Sequence, residues 1–255
     1  MNKLNYLFNK KNKNILCIYF TAGYPKIDST EKILRILQDL RVDLVEVGIP
    51  YSDPLADGGV IQNSNKISLK NGMNVSLLFH QFHAIKKYIN IPIILMGYFN
   101  QIYQFGEKKF LKKCKESGIS GLIIPDLPSD LFVNKYQVLF KEYSLSMIFL
   151  ITPNTSYERI LSLSKLTSGF LYLVSSNSIT GNKNHFGSEQ ILFFQRIKKL
   201  PIKIPKLIGF GISDKKSFQT VCKYSNGGII GSNFIQSIDE KQLEKSIKSY
   251  INSII

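Results

Sequence analysis

Short apolar runs rich in β-branched residues alternate along this chain with segments whose apolar positions recur every three or four residues. The runs cover 15–21, 44–48, 93–97, 121–124, 146–151, 171–174, 206–210 and 228–231. Most are apolar at nearly every position, the pattern of parallel strands covered on both faces. Between them lie helical stripes: Ile33, Ile36, Leu37 and Leu40; Val75, Leu78, Phe79, Phe82 and Ile89; Phe132, Tyr136, Leu139 and Tyr143; Leu243, Ile247, Tyr250 and Ile254. Ser129 and Ser213 stand where helix N-caps are expected. Repeated strand–helix units require right-handed parallel crossovers. Eight of them in a chain of 255 residues predict an α/β fold, a single (β/α)8 barrel spanning residues 1–255, with a doubly wound open sheet as the alternative. Residues 1–14 read as an added helix capping the barrel bottom.

Two strand-to-helix connections, 50–74 and 175–188, are longer than such loops usually are. In a barrel these loops crown the C-terminal face, where function resides.

Composition changes this picture little. The apolar residues are spread along the whole chain, which excludes disorder for its bulk. No apolar run approaches the roughly 20 residues that span a bilayer. Lys10 to Lys13 before the apolar run 15–22 loosely imitate a signal peptide, but no small-x-small cleavage site follows, and a buried first strand is preferred. The net charge of +15 invites a nucleic-acid reading. Against it, four basic residues are Arg (Arg35, Arg41, Arg159, Arg196) and 29 are scattered Lys. Base and phosphate recognition favours the planar Arg fork. A solvated Lys coat accounts for the charge better. Cys17, Cys114 and Cys222 form neither a CxxC nor a Cys/His cluster, so a reducing cytoplasm is expected rather than a disulfide framework.

The candidate chemistry lies at strand ends. Glu46 sits inside the apolar strand Leu44-Val45-Glu46-Val47-Gly48. A carboxylate there is costly unless paired or used. Alternation puts it on one face with Leu44 and Gly48, and two readings are open: a structural ion pair with a Lys, or a desolvated acid/base at the barrel mouth. In the next loop Asp53 and Asp57 flank a small apolar turn. Asp57 reaches back over the mouth in one reading; both make ordinary turn contacts or caps in the other. Gly209-Phe210-Gly211 ends the seventh run, and Gly231-Ser232-Asn233 ends the eighth and opens a short helix. Neither carries Lys or Arg, so a phosphate would be held by backbone amides and the Ser232 hydroxyl. The polar stretch 175–184 reads as a lid or an inert surface loop. His80, His83 and His185 offer no credible metal set, and no Walker, Rossmann, HExxH or EF-hand pattern occurs.

Residues 45–58, Val-Glu-Val-Gly-Ile-Pro-Tyr-Ser-Asp-Pro-Leu-Ala-Asp-Gly, resemble the signature of the tryptophan synthase alpha chain family. The similarity runs nearly end to end. It includes Thr21-Ala22-Gly23-Tyr24-Pro25, Gln62-Asn63, Leu95-Met96-Gly97-Tyr98-Phe99-Asn100 and Pro125-Asp126-Leu127-Pro128. The resemblance implies a (β/α)8 barrel that cleaves indole-3-glycerol phosphate to indole and glyceraldehyde 3-phosphate by a retro-aldol reaction, without metal or cofactor. It makes Glu46 the acid/base and Asp57 the partner of the indole N–H. It places Tyr172 near the substrate, the phosphate on Gly181, Gly211, Gly231 and Ser232, and Thr180 closing towards Asp57. It also implies a beta-chain partner carrying pyridoxal phosphate, in an assembly of two alpha and two beta chains, with residues 53–58 and 100–105 facing it. Ser176 and Ser178 depart from the family's usual Arg and Gly, and Asn233 from its usual Ala, which bears on loop closure rather than on reaction class.

Overall fold

Because each apolar run carries side chains for two different cores, the strands pair side by side and parallel, with helices outside. The computed structural model describes residues 2–54, 57–175 and 186–255. Its strands are β1 (Ile15–Thr21), β2 (Leu44–Gly48), β3 (Ile93–Met96), β4 (Gly121–Ile123), β5 (Ser146–Ile148), β6 (Leu150–Ile151), β7 (Leu171–Val174), β8 (Lys206–Gly209) and β9 (Gly227–Ile230). They form one sheet in the order β5-β4-β3-β2-β1-β9-β8-β7-β6, every pair parallel. The two ends of that order are one stretch of chain, since only Phe149 separates β5 from β6. Its N–H turns to the Thr167 hydroxyl (3.2 Å), while its carbonyl accepts from the Tyr172 N–H (3.0 Å). The sheet therefore closes into the expected eight-unit barrel.

Alternation sorts the side chains. From β1, Ile15, Cys17 and Tyr19 point into the barrel, while Leu16, Ile18 and Phe20 pack against the helices. Of the first two helical stripes, Ile33 and Leu37 are buried on helix Ser29–Asp39, with Ile36 and Leu40 partly so, and Leu78, Phe79 and Phe82 are buried on helix Val75–Ile85, while Ile89 lies beyond that helix's end.

Three local expectations are corrected. Ser129 is the first residue of helix Ser129–Leu131 rather than its cap, and its hydroxyl turns to Asp130. The cap of helix Lys215–Cys222 is Asp214, whose carboxylate accepts from the Ser217 N–H at 2.7 Å, so Ser213 lies one residue too early. The third stripe is not a continuous α-helix: Phe132–Tyr136 forms a wide π-type turn before helix Gln137–Glu142. The wider turn puts Phe132 and Tyr136 both into the core.

The N-terminal segment forms helix Lys3–Lys10, capped by the Asn2 side chain. Leu4 is wholly buried among the inward-facing Ile15, Leu44 and Phe170. The Asn2 amide donates to the carbonyls of Ser120 and Ser144, beside the starts of β4 and β5. The helix thus plugs the barrel's N-terminal end. Leu4→Ala is expected to cost about 2–5 kcal/mol of stability, because the closed ring of strands cannot collapse into the void. Urea unfolding of the two chains measures it.

Candidate functional site at the barrel mouth

Glu46 occupies the third position of β2, on the inward face with Leu44 and Gly48. Its neighbour in register on β1 is Tyr19 and on β3 is Ile94. Glu46 is 2% exposed, and its Oε2 has no hydrogen-bond partner. Among the described residues no Lys or Arg forms an ion pair with it. The structural ion pair left open by the strand pattern is therefore not formed among these residues. Burial, and secondarily the nearby Asp57 carboxylate, push the Glu46 carboxyl up to about 8. It holds a proton at neutral pH.

Asp57 reaches the same space from the loop after β2. A backbone turn from Pro54 (3.0 Å) and the Gln62 amide on the Asp57 carbonyl (2.9 Å) fix the backbone just before helix Gly59–Lys70. The side chain is buried, which raises its carboxyl to about 6. At neutral pH it is ionised while Glu46 is not. Asp53 is exposed and accepts from the Ser52 hydroxyl at 2.6 Å, an ordinary turn contact.

Two tyrosines stand near the carboxyl pair. Tyr172 projects inward from β7, and its hydroxyl lies 2.3 Å from where a Cβ on Gly209 would stand. Tyr19 does the same over Gly48, at 2.2 Å. Neither strand-end position has room for a side chain, because a phenol occupies it. Burial raises both phenols far above their ordinary range, and Asp57 and Glu46 add to this, so both stay neutral. Tyr172 is the tyrosine that the family resemblance singles out. Tyr19 was not singled out in the sequence; its signal is the alternation from Cys17, which sets an aromatic hydroxyl beside Glu46.

The glycine segments follow β8 and β9 at the same end of the barrel. Ser175 Oγ donates to the Phe210 carbonyl at 2.8 Å and fixes the turn that Gly211 completes at φ 76°. Gly231 caps helix Ser232–Ser237 beside the Tyr19 ring. Asn233 donates from Nδ2 to the Ile212 carbonyl at 3.2 Å, so this departure from the family pattern ties the two glycine segments together. Thr180 and Gly181, with Ser176 and Ser178, lie outside the described residues. Beside the stretches 53–58 and 100–105 expected to face a partner, side chains at or just before their starts come together. Tyr51 stacks on Tyr98 with ring centroids 4.9 Å apart, and Asn100 Nδ2 approaches the Tyr51 hydroxyl at 3.3 Å. Among the described residues no group of acidic, His or Cys side chains is placed to hold a metal, and no helix is long and apolar enough to cross a membrane.

Comparison with known proteins agrees with this geometry. The model of the tryptophan synthase alpha chain family matches residues 6–253. A tryptophan synthase alpha chain from Karelsulcia muelleri is 59% identical over the full length of both chains. One from Christiangramia forsetii is 50% identical, covering 94% of this chain and 93% of its own. Among solved structures, the tryptophan synthase A-subunit of Pyrococcus furiosus superposes with a TM-score of 0.87 at 30% identity, covering 96% of this chain and 98% of that one. A chain of the tryptophan synthase complex from the same organism gives 0.85 at 31%, covering 95% and 98%. A closed barrel with two buried carboxyl groups of opposite protonation at its mouth, and a family match over nearly its whole length, place this chain in the tryptophan synthase alpha chain family.

Proposed function

We propose that this chain cleaves indole-3-glycerol phosphate into indole and glyceraldehyde 3-phosphate, with Glu46 and Asp57 carrying the chemistry. The observation that supports this most is the split between the carboxyls, one protonated and one ionised at neutral pH. Protonated Glu46 donates to indole C3. The ring becomes an iminium, and ionised Asp57 accepts the N–H hydrogen bond and stabilises the positive charge. The Glu46 carboxylate then takes the proton from the glycerol hydroxyl. As that hydroxyl becomes a carbonyl, the carbon–carbon bond breaks and its electron pair returns to the ring, releasing indole. Glu46 ends protonated, as it began, and the proton balance closes within one residue. The substrate's own ring is the electron sink, so the reaction in this chain calls on no metal or cofactor.

Tyr172 borders the reacting carbon in this reading. The phosphate rests on Gly211, Gly231 and Ser232, with Gly181 and Thr180 completing the site. A beta chain carrying pyridoxal phosphate receives the indole, in an assembly of two alpha and two beta chains, and residues 53–58 and 100–105 face it. The three free thiols suit a cytoplasmic enzyme.

The test is indole release from indole-3-glycerol phosphate by the purified chain, alone and with a beta chain. Turnover supports the reading; no turnover in either case favours a non-catalytic activator of the partner. The pH dependence of kcat/KM is the sharper signature. Activity is expected to rise through about 6 as Asp57 loses its proton and to fall through about 8 as Glu46 loses its own. Because the groups interact, these are the apparent values of the pair. A profile flat between about pH 5 and about pH 9, roughly one pH unit beyond each limb, would remove the proton-transfer roles.

A further inference from the structure

We propose that Asn233 is a positioning residue that sets the distance between two aimed amide donors, those of Gly211 and Ser232, and so fits the mouth to a phosphate group. The inference rests on the reading above that the two glycine segments hold the phosphate, and adds a residue to it. Each donor is aimed within its own segment. A peptide unit is planar and trans, so an N–H points opposite to the carbonyl before it. The Phe210 carbonyl accepts from Ser175 Oγ at 2.8 Å, which fixes the direction of the Gly211 N–H. The Gly231 carbonyl accepts from the Ile235 N–H at 3.0 Å, which fixes the direction of the Ser232 N–H. Among the described residues neither of these N–H groups has an acceptor.

Nothing in this aiming relates one segment to the other. β8 and β9 stay in register as far as Gly209 and Ile229, and past that pair the chain leaves the ladder. Phe210 and Gly211 then both turn left-handed, at φ 67° and 76°. The tie comes at the next residue on each side, where Asn233 Nδ2 donates to the Ile212 carbonyl at 3.2 Å. The far side of that contact is rigid. The Ile212 side chain is buried against Gly228, and the Ser213 N–H of the same peptide unit donates to Ser217 Oγ at 3.0 Å. A second brace lies one residue further on. Tyr250, on helix Leu243–Ile254, donates to the Ser213 carbonyl at 3.4 Å and packs its ring on Phe234, with centroids 6.0 Å apart. Neither glycine segment carries Lys or Arg. Affinity for an anion then depends on donors that stand in place before it arrives, since any reorganisation is subtracted from binding. Alanine, usual in the family where this chain has Asn233, has no donor with which to make the tie.

The experiment measures the binding of glycerol 3-phosphate and of indole to the full chain, separately, by titration calorimetry, with kcat and KM for indole release beside them. Asn233→Ala is expected to weaken glycerol 3-phosphate about fivefold, the effect of one net hydrogen bond, and to leave indole binding unchanged. KM rises by the same factor while kcat holds, because a phosphate remote from the reacting carbon is gripped alike before and during reaction. Asn233→Leu keeps the bulk without the donor and is expected to match Asn233→Ala. Tyr250→Phe keeps the ring on Phe234 and removes the hydroxyl, and about a twofold loss is expected because its contact is longer. The double variant exceeds either single one. Glycerol 3-phosphate binding at the wild-type level in both Asn233 variants overturns the proposal. So does an equal loss of both probes, which would mark a general loosening of the mouth. If the wild type binds glycerol 3-phosphate but releases no indole, the functional reading falls and the phosphate titrations decide on the brace. If the wild type does not bind glycerol 3-phosphate, the phosphate placement falls and the proposal with it.

Discussion

Glu46→Gln is expected to reduce indole release by roughly a hundredfold to ten-thousandfold, the range a positioned acid/base contributes. It is also expected to make the protein more stable at alkaline pH. The wild-type carboxyl is protonated in the fold up to about 8, well above its ordinary range. Between those limits the folded state binds more protons than the unfolded one, so stability falls as pH rises across the window. Glutamine has nearly the same shape and does not titrate. The variant should match the wild type near pH 5, below most of this window. It should exceed it by a few kcal/mol near pH 9, since the wild type loses about 1.4 kcal/mol for each pH unit of the window crossed. Urea unfolding at the two pH values, beside the activity assay, tests both halves. Loss of activity with equal stability at both pH values would mean that Glu46 is not held protonated by burial.

Gly227→Ala is expected to prevent or severely weaken folding while touching no reacting group. A Cβ at this position would stand 2.0 Å from the Ile15 carbonyl oxygen and 2.7 Å from its backbone nitrogen. These are backbone atoms at the start of β1, where Ile15 pairs with Gly227. They move only if the β1–β9 ladder opens, and that ladder is one of the seams of the closed barrel. A cost above about 4 kcal/mol is a large part of the roughly 5–15 kcal/mol that holds an ordinary domain together. Expression in the soluble fraction and the thermal midpoint report it. A soluble variant with a wild-type midpoint would mean that the strands separate here at little cost.

How much of this was legible in the sequence depended on how many constraints fell on each residue. The barrel strands were readable because residues such as Leu16 and Cys17 serve two different cores, which leaves few polar positions in a run. Glu46 stood out by the same rule, as the carboxylate that such a run should not contain. Strand ends were less visible: Phe210 looks like a strand residue but adopts φ 67° and leaves the ladder. Ser213 and Asp214 are both acceptable caps, and only the placement of Ser217 selects the second. Tyr19 carried only the weak signal of alternation from Cys17, since an aromatic in an apolar strand is usually core. Tyr172 entered through family resemblance for the same reason. The hydroxyl contact Thr21–Ser64 joins two elements 43 residues apart and exists only once helix Gly59–Lys70 is docked on β1.

The plug formed by helix Lys3–Lys10 also governs traffic. With Leu4 filling the far end, the barrel's floor is closed among the described residues. Under the proposed function, substrate and products would pass at the mouth rather than through the filled floor. A protein docked at the rim would therefore stand on that route. It would need no gate of its own to decide where a released apolar molecule goes, because the architecture of the first chain has already chosen the direction.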